Sequence, residues 1–291
     1  MTRTRLALGA LISAAVLALA GCGATDVPSA SWHGSPVRSG STDAGEGGGA
    51  QARPISDSTA QAVTGKPSAT PSASAPASTS ASPSTSSAVA SDGIMRQTGG
   101  AQVALTFDDG PGADTPQLLA MLRQHNIKAT FCVVGVAVQE FPQYVQEIVK
   151  DGHTLCNHTW KHDDKLGKKS ADTIRADLQR TNDEIHKAVP DAQIKYFRHP
   201  GGNFTPAAVQ IAAELGMKSL GWTVDPSDWN IKKWPGNQMT QHIITNVRNN
   251  TKPGAVILSH DGGGDRSATL AAYKTLLPEL KQQFTLIAMP V

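Results

Sequence analysis

The chain is short of the features that most quickly betray a function. It has three cysteines in 291 residues, too few to build a disulfide scaffold. After residue 20 no stretch is long and apolar enough to cross a bilayer, so a polytopic membrane protein is excluded. Charge of one sign is lacking too: 26 Lys and Arg stand against 24 Asp and Glu, a formal net charge of +2. No Lys/Arg block suggests a nucleic-acid partner, and Lys161, Lys165, Lys168 and Lys169 fit a solvated loop. A Gly-rich phosphate loop and an arginine cluster are both missing, which argues against a phosphoesterase. No internal repeat is evident.

What is present divides the chain into three parts. Arg3 and Arg5 precede an apolar stretch from Leu6 to Ala20 and the tetrapeptide Leu19-Ala20-Gly21-Cys22. A basic start and about 15 apolar residues read as an export signal. The Leu-Ala-Gly-Cys ending resembles a bacterial lipobox, so residues 1–22 are expected to be a lipoprotein-type signal with lipid carried on Cys22. An ordinary cleaved signal with an incidental cysteine is the alternative. Residues 23–97 are rich in Ser, Pro, Ala, Thr and Gly and cannot bury enough apolar area to offset their ordering entropy. About 70 such residues give a root-mean-square reach of roughly 45 Å, which suits a tether. Residues 98–291 form one domain of ordinary size. Localisation on the outer face of the bacterial cytoplasmic membrane and a monomeric state follow as expectations.

Within 98–291, short apolar runs alternate with amphipathic ones. Strands are expected at Val103–Phe107, Thr130–Val134, Thr154–Cys156, Lys195–Arg198, Ser219–Thr223, Ala255–Ser259 and Thr285–Ala288. Helices are expected at Thr115–Gln124, Pro142–Lys150, Ala171–Val189, Pro206–Leu215, Met239–Asn249 and Leu270–Gln282. In the third helix Ile174, Leu178 and Ile185 recur on one face, with Ser170 as N-cap. Repeated strand–helix units predict an α/β fold of parallel strands with helices outside, as a barrel or a doubly wound sheet. In both, function gathers at the carboxyl ends of the strands. Cys132 and Cys156 fall in consecutive predicted strands, where either a bridge or two buried thiols would fit.

The unusual polar residues all follow strands. Asp108 and Asp109 end the first apolar run; one such carboxylate can bind a metal while the other takes a proton from water, although Asp-Asp-Gly-Pro is also an ordinary turn. His158 and His162, four apart, can face one ion with a carboxylate completing the set. Arg198, in Arg-His-Pro-Gly-Gly, could hold a carboxylate ionised or simply cap a loop; His199 reads as a loop side chain. Asp225-Pro-Ser-Asp228-Trp229 could orient a histidine and line a sugar pocket, or form an Asx turn beside a partly buried indole. His260 could be a ligand or a general acid.

Taken in order, Thr106-Phe-Asp-Asp-Gly-Pro111, His158-Thr-x-x-His162, Arg198-x-Pro-x-Gly202, Asp225-x-x-Asp-Trp229 and Leu258-x-His260 resemble the polysaccharide deacetylases with the NodB homology domain, carbohydrate esterase family 4 (CE4). The resemblance covers nearly all of 98–291. It implies a distorted (β/α) barrel of about seven parallel strands with outer helices, and a divalent metal, usually zinc, on Asp109, His158 and His162. It further implies Asp108 as general base held ionised by Arg198, His260 as general acid tuned by Asp228, and Trp229 and Leu258 around the acetyl methyl. The Gly201 backbone N–H would be an oxyanion donor. Many members carry an aromatic residue where this chain has Gly201, so one wall of the sugar site is missing; Phe204, Trp160 and Trp234 are candidates to replace it.

The function expected is metal-dependent removal of N-acetyl groups from a cell-wall or chitin-like glycan, with peptidoglycan favoured by the anchor. An O-acetyl esterase on acetylxylan or acetylated wall sugars is the nearest alternative, and a non-catalytic glycan-binding lipoprotein the next.

Overall fold

The structure, a computed structural model, describes residues 89–291. The signal-like segment, Cys22 and the tether up to residue 88 lie outside the described residues.

The described residues form eight strands and seven α-helices in the order β1 (Ile94–Met95), β2 (Val103–Asp108), α1 (Thr115–Gln124), β3 (Thr130–Val133), α2 (Gly135–Glu140), α3 (Pro142–Lys150), β4 (Thr154–Asn157), α4 (Ala171–Ala188), β5 (Ile194–Phe197), α5 (Pro206–Glu214), β6 (Lys218–Leu220), α6 (Asn237–Asn250), β7 (Val256–His260), α7 (Ser267–Gln283) and β8 (Leu286–Ile287). Ladder order is β1-β6-β5-β4-β3-β2-β7, with β8 against β2. Every pairing between these strands is parallel, as expected for strands joined by helical crossovers. The path does not close strand to strand. Thr223 and Val224, just past β6, span the gap: Thr223 N–H donates to Val256 O (3.0 Å) and Val224 O accepts from Leu258 N–H (2.9 Å). The expected barrel is thus an open, distorted one.

Two features were not foreseen. Ile94 and Met95, within the stretch read as tether, form β1 on β6 and are buried. Helix α2 packs into the β3–α3 connection, too short and weakly periodic to have been legible. The seven expected strands and six expected helices are present, with ends moved by a few residues at most, the usual scatter of helix and strand termini. Ser170 caps α4 as expected, accepting from Thr173 N–H (3.3 Å), and Ile174, Leu178 and Ile185 are fully buried.

The period of two along each strand sorts side chains into two cores. In β2, Val103, Leu105 and Phe107 point outward into the main core beneath the helices, while Ala104 faces the barrel interior. Cys132, Cys156, Tyr196, Leu220 and Val256 share that interior, and Cys132 and Cys156 form a disulfide across a registered rung of β3 and β4. After β8 the chain crosses below the sheet: Met289 N–H donates to Thr130 Oγ1, Met289 O accepts from Thr154 Oγ1, and Pro290 O accepts from Tyr196 Oη. Met289 is fully buried there. The interior is consequently filled from below by Met289.

Candidate active site

The inward rows of four strands end in the predicted chemistry. Ala104 and Thr106 lead to Asp108, Cys156 to His158, Tyr196 to Arg198, and Val256 and Leu258 to His260. Parallel register sets Asp108 beside His260. The chain turns immediately after Asp108: Asp109 has a φ of 68°, a left-handed conformation that swings its carboxylate away from its neighbour's. The two adjacent acids therefore serve different neighbourhoods.

Asp109 Oδ1 lies 3.3 Å from His158 Nε2 and 3.2 Å from His162 Nε2. It is buried and has no hydrogen-bond partner among the described residues. His158 Nδ1 meets Arg198 O at 2.8 Å; a carbonyl only accepts, so Nδ1 carries the proton and a neutral ring presents the Nε2 lone pair to Asp109. One ligand atom from each of Asp109, His158 and His162 falls within 4.8 Å of the others. Burial alone would lower the His158 pKa, but the Asp108 and Asp109 carboxylates outweigh it and raise it. Burial would likewise raise Asp109, yet His158 and the neighbouring imidazoles hold it well below the usual carboxylate range. Converging lone pairs around an unpartnered carboxylate oxygen fit a divalent cation, and a His₂Asp set with open positions suits zinc.

Asp108 is buried, and its Oδ1 accepts from Arg198 Nη1 at 2.6 Å. Arg198 is itself fully buried, which is costly unless every donor is matched. Nη1 also donates to Thr106 Oγ1 (2.9 Å), Nε to Leu220 O (2.9 Å) and Nη2 to Gly221 O (3.1 Å). The reading of Arg198 as a carboxylate holder, rather than a loop cap, matches this contact set.

Across the cavity, His260 Nδ1 donates to Asp228 Oδ1 (2.6 Å), and the His260 backbone N–H donates to Asp228 Oδ2 (2.9 Å). Thr269 Oγ1 donates to the same Oδ2 (2.8 Å). Burial would lower the His260 pKa, but Asp228 at hydrogen-bonding distance overrides it and pushes it up to about 9. Asp228 is correspondingly lowered, despite its burial, by His260, Arg266 and Thr269. The alternative Asx turn is present as well, with Asp225 Oδ1 accepting from Ser227 N–H (2.6 Å); it aims Asp228 inward while leaving Trp229 half exposed on the rim.

These groups line one cavity of about 400 Å³, together with Gly201, Trp229 and Leu258. All the predicted site residues except Cys22, Arg198 and Asp228 lie on that surface, and the last two stand directly behind it. His199 is not a ligand of the cluster: its Nε2 accepts from Gly167 N–H (3.0 Å) and its Nδ1 meets Pro200 O (2.9 Å). Of the candidates to replace the aromatic missing at Gly201, Trp160 is buried under Arg180, Trp234 stacks on His242, and Phe204 packs against Phe197 and His199 and is not part of this cavity's lining.

Sequence reasoning missed several contributors. Thr106 buttresses Arg198, and its inward phase from Asp108 was a usable signal. Trp222, also inward, lines the cavity, and Arg198 lies 5.5 Å from its ring centre. Arg266 is buried behind the site, donating to Gly262 O (2.6 Å) with Nη2 4.0 Å from Asp109 Oδ2; nothing local distinguished it from a surface arginine. Asp261, fully enclosed, donates from its backbone N–H to Asp108 O (3.1 Å) and has its pKa raised by burial to about 7.

Comparison with known proteins agrees with this geometry. Residues 95–220 match the family model described as polysaccharide deacetylase. A peptidoglycan-N-acetylglucosamine deacetylase of Bacillus cereus is 38% identical over 184 residues, covering 62% of this chain and 82% of the relative. A chitooligosaccharide deacetylase of Sinorhizobium fredii is 34% identical over 205 residues, covering 66% and 92%. Among solved structures, a CE4 family pseudoenzyme from Bacillus anthracis superposes with a TM-score of 0.61 at 29% identity, covering 69% of this chain and 68% of its own. The fold is thus shared by active and inactive proteins, and membership has to be read together with the residues in the cavity. The chain belongs to the polysaccharide deacetylase family with the NodB homology domain, and it is a hydrolase of carbon–nitrogen bonds other than peptide bonds.

Proposed function

We propose that the protein is a zinc-dependent deacetylase of a cell-wall glycan, with the N-acetylglucosamine of peptidoglycan as its first substrate. The observation that carries this reading is the pairing of Asp108 and His260 on one rung beside the Asp109–His158–His162 cluster, each with its own buried partner, Arg198 or Asp228. A hydrolysis of an amide needs one group to take a proton and another to give one. Held by Asp109, His158 and His162, zinc would polarise the acetyl carbonyl and lower the pKa of water.

The chain's own groups divide the remaining work. Asp108 accepts the proton of the attacking water, with Arg198 fixing its carboxylate. His260, protonated on Nε2 and steadied through Nδ1 by Asp228, gives a proton to the sugar nitrogen as the C–N bond breaks, so that acetate and a free amine leave. The Gly201 N–H supports the charge on the carbonyl oxygen, and Trp229 and Leu258 border the methyl. The names of the curated relatives support a peptidoglycan or chitin-like substrate.

Residues 1–22 would anchor the protein by lipid on Cys22, and residues 23 onward would let the domain reach the wall as a monomer. A disulfide in the barrel suits an oxidising, extracytoplasmic setting. The test is amine release from N-acetylglucosamine oligomers and from peptidoglycan, before and after chelation and again with zinc restored. Chelator-sensitive release rescued by zinc is expected. Acetate release from acetylxylan without amine release from either glycan would overturn the reading in favour of an O-acetyl esterase.

A further inference from the structure

We infer that the loop after β7, residues 261–266, is a clamp on Asp109, and that Arg266 is the positioning residue that makes this carboxylate present one oxygen to the metal. The inference rests on the metal-dependent reading of the site and deepens it, from three ligands to the group that orders one of them.

Asp109 sits where its orientation has to be imposed from outside. It lies past the last residue of β2 at a left-handed φ of 68°, and its side chain turns about two bonds. Its two oxygens nevertheless face different groups. Oδ1 lies 3.3 Å from His158 Nε2 and 3.2 Å from His162 Nε2, and it is the buried oxygen without a hydrogen-bond partner among the described residues. Oδ2 lies against the loop after β7. A Cβ added to Gly263 would come within 2.6 Å of Oδ2, and one added to Gly262 within 2.3 Å of the Asp109 carbonyl oxygen. Gly263 is left-handed as well, with φ of 73°, so close approach and backbone both require glycine there.

The loop is itself held in place. The backbone N–H groups of Asp261 and Gly262 both donate to Asp108 O, at 3.1 and 3.4 Å, and Asp261 Oδ2 accepts from Thr115 Oγ1 at 2.5 Å. Arg266 is buried at the end of the loop and turns its guanidinium back over it. Nε donates to Gly262 O (2.6 Å), Nη1 donates to Asp228 O (3.5 Å), and Nη2 stands 4.0 Å from Asp109 Oδ2. The Arg266 backbone N–H donates to Asp114 Oδ2 (2.9 Å). A fixed positive charge thus stands on the Oδ2 side and leaves Oδ1 as the oxygen for a cation. Outer partners of this kind orient a ligand, and losing one typically weakens metal binding by about 10–100-fold.

Plain neutralisation is the competing role for a buried cation here, because Asp108, Asp109, Asp228 and Asp261 crowd the same end of the barrel. The two roles predict opposite signs. A guanidinium 4.0 Å from a ligand oxygen repels a divalent ion. If Arg266 only offset charge, its removal would tighten zinc binding; if it orders Asp109, removal weakens it.

The test uses the full chain, stripped of metal and titrated with zinc against a chelator of known affinity, so it reads binding and needs no turnover. Arg266→Met removes charge and donors, Arg266→Lys keeps the charge but loses the planar fork, and Gly263→Ala presses on Oδ2 from the loop. Thermal unfolding of each metal-free protein checks the fold. The zinc Kd should rise about 10–100-fold in Arg266→Met and by less in Arg266→Lys, and it should rise in Gly263→Ala as well. An Arg266→Met protein that binds zinc as tightly as the unaltered one, or more tightly, would overturn the clamp. That holds even where its metal-free midpoint falls, since such a result describes a residue of the fold alone. Where Arg266→Met does not fold, the other two variants decide: a raised Kd in either supports the clamp, and an unchanged Kd in both overturns it. No zinc binding by the unaltered protein would overturn the metal reading and the clamp with it, whereas normal zinc binding with an indifferent Arg266 overturns the clamp alone.

Discussion

Replacing Asp228 by Asn should change which nitrogen of His260 carries its proton, and by a measurable amount. Asp228 accepts three hydrogen bonds: from His260 Nδ1, the His260 backbone N–H and Thr269 Oγ1. An amide has one oxygen, so it can keep the backbone and threonine donors only by turning its NH₂ toward Nδ1. The imidazole must then accept at Nδ1 and cannot hold two protons there comfortably. In the metal-free protein the His260 pKa stands at about 9 against an ordinary 6.5. At about 1.4 kcal/mol per unit, that rise corresponds to a contribution of order 3 kcal/mol to folding. Because the folded pKa is the higher one, the contribution is fully present below about pH 6.5 and is lost as the pH climbs through about 9. Histidine resonances followed by NMR between pH 5 and 10 should give His260 a midpoint near 9, dropping to 6.5 or below in Asp228→Asn. Urea unfolding should find the variant weaker by up to about 3 kcal/mol at pH 6, with the gap closing toward pH 10. A wild-type midpoint near 6.5, or a stability gap that does not vary with pH, would refute the argument.

Further outcomes follow from the same contacts. Asp108→Asn should lower kcat by about 10² to 10⁴ as a lost general base while zinc content, measured by atomic spectroscopy, stays near one per chain. Arg198→Met should cost about 3–5 kcal/mol in chemical unfolding, since Asp108 would remain buried without its partner; an unchanged midpoint would mean that water reaches Asp108 freely. Chelation should lower the thermal midpoint, and zinc at about 100 times its Kd should restore roughly 2.7 kcal/mol. That gain should shrink on acidification, because protons compete for His158, whose pKa the two aspartates raise.

Much of this is legible in the sequence. The alternation of apolar runs with amphipathic ones pointed to parallel strands, and the place of each polar cluster just after a strand pointed to one shared site for Asp108, His158, Arg198 and His260; that these four side chains face inward came from the structure. What could not be read was anything set by long-range packing. β1 is two residues long in a region whose composition looks like tether, and only its partner β6 makes it a strand. Arg266 gains its meaning from Asp109 and Asp228, more than 30 residues away in sequence on either count. Sequence offers Phe204 as a replacement wall for the active site because it gives the distance along the chain, not the direction of the ring. The choice between thiols and a bridge at Cys132 and Cys156 depended on register, which is fixed by strand order and not by spacing.

The short edge strand also decides where the domain can be cut. β1 holds two residues of β6, and Met95 O accepts from Gly221 N–H at 2.7 Å. Gly221 and Leu220 in turn present their carbonyls to the Arg198 guanidinium, which grips Asp108. Trimming the protein past Met95 would therefore remove a paired strand. It would free an edge that lies three contacts from Asp108, the carboxylate proposed as the base. Proteolytic nicking at β1 would act at this same edge, which makes β1 the place where a cut at the start of the domain reaches the groups that hold Asp108.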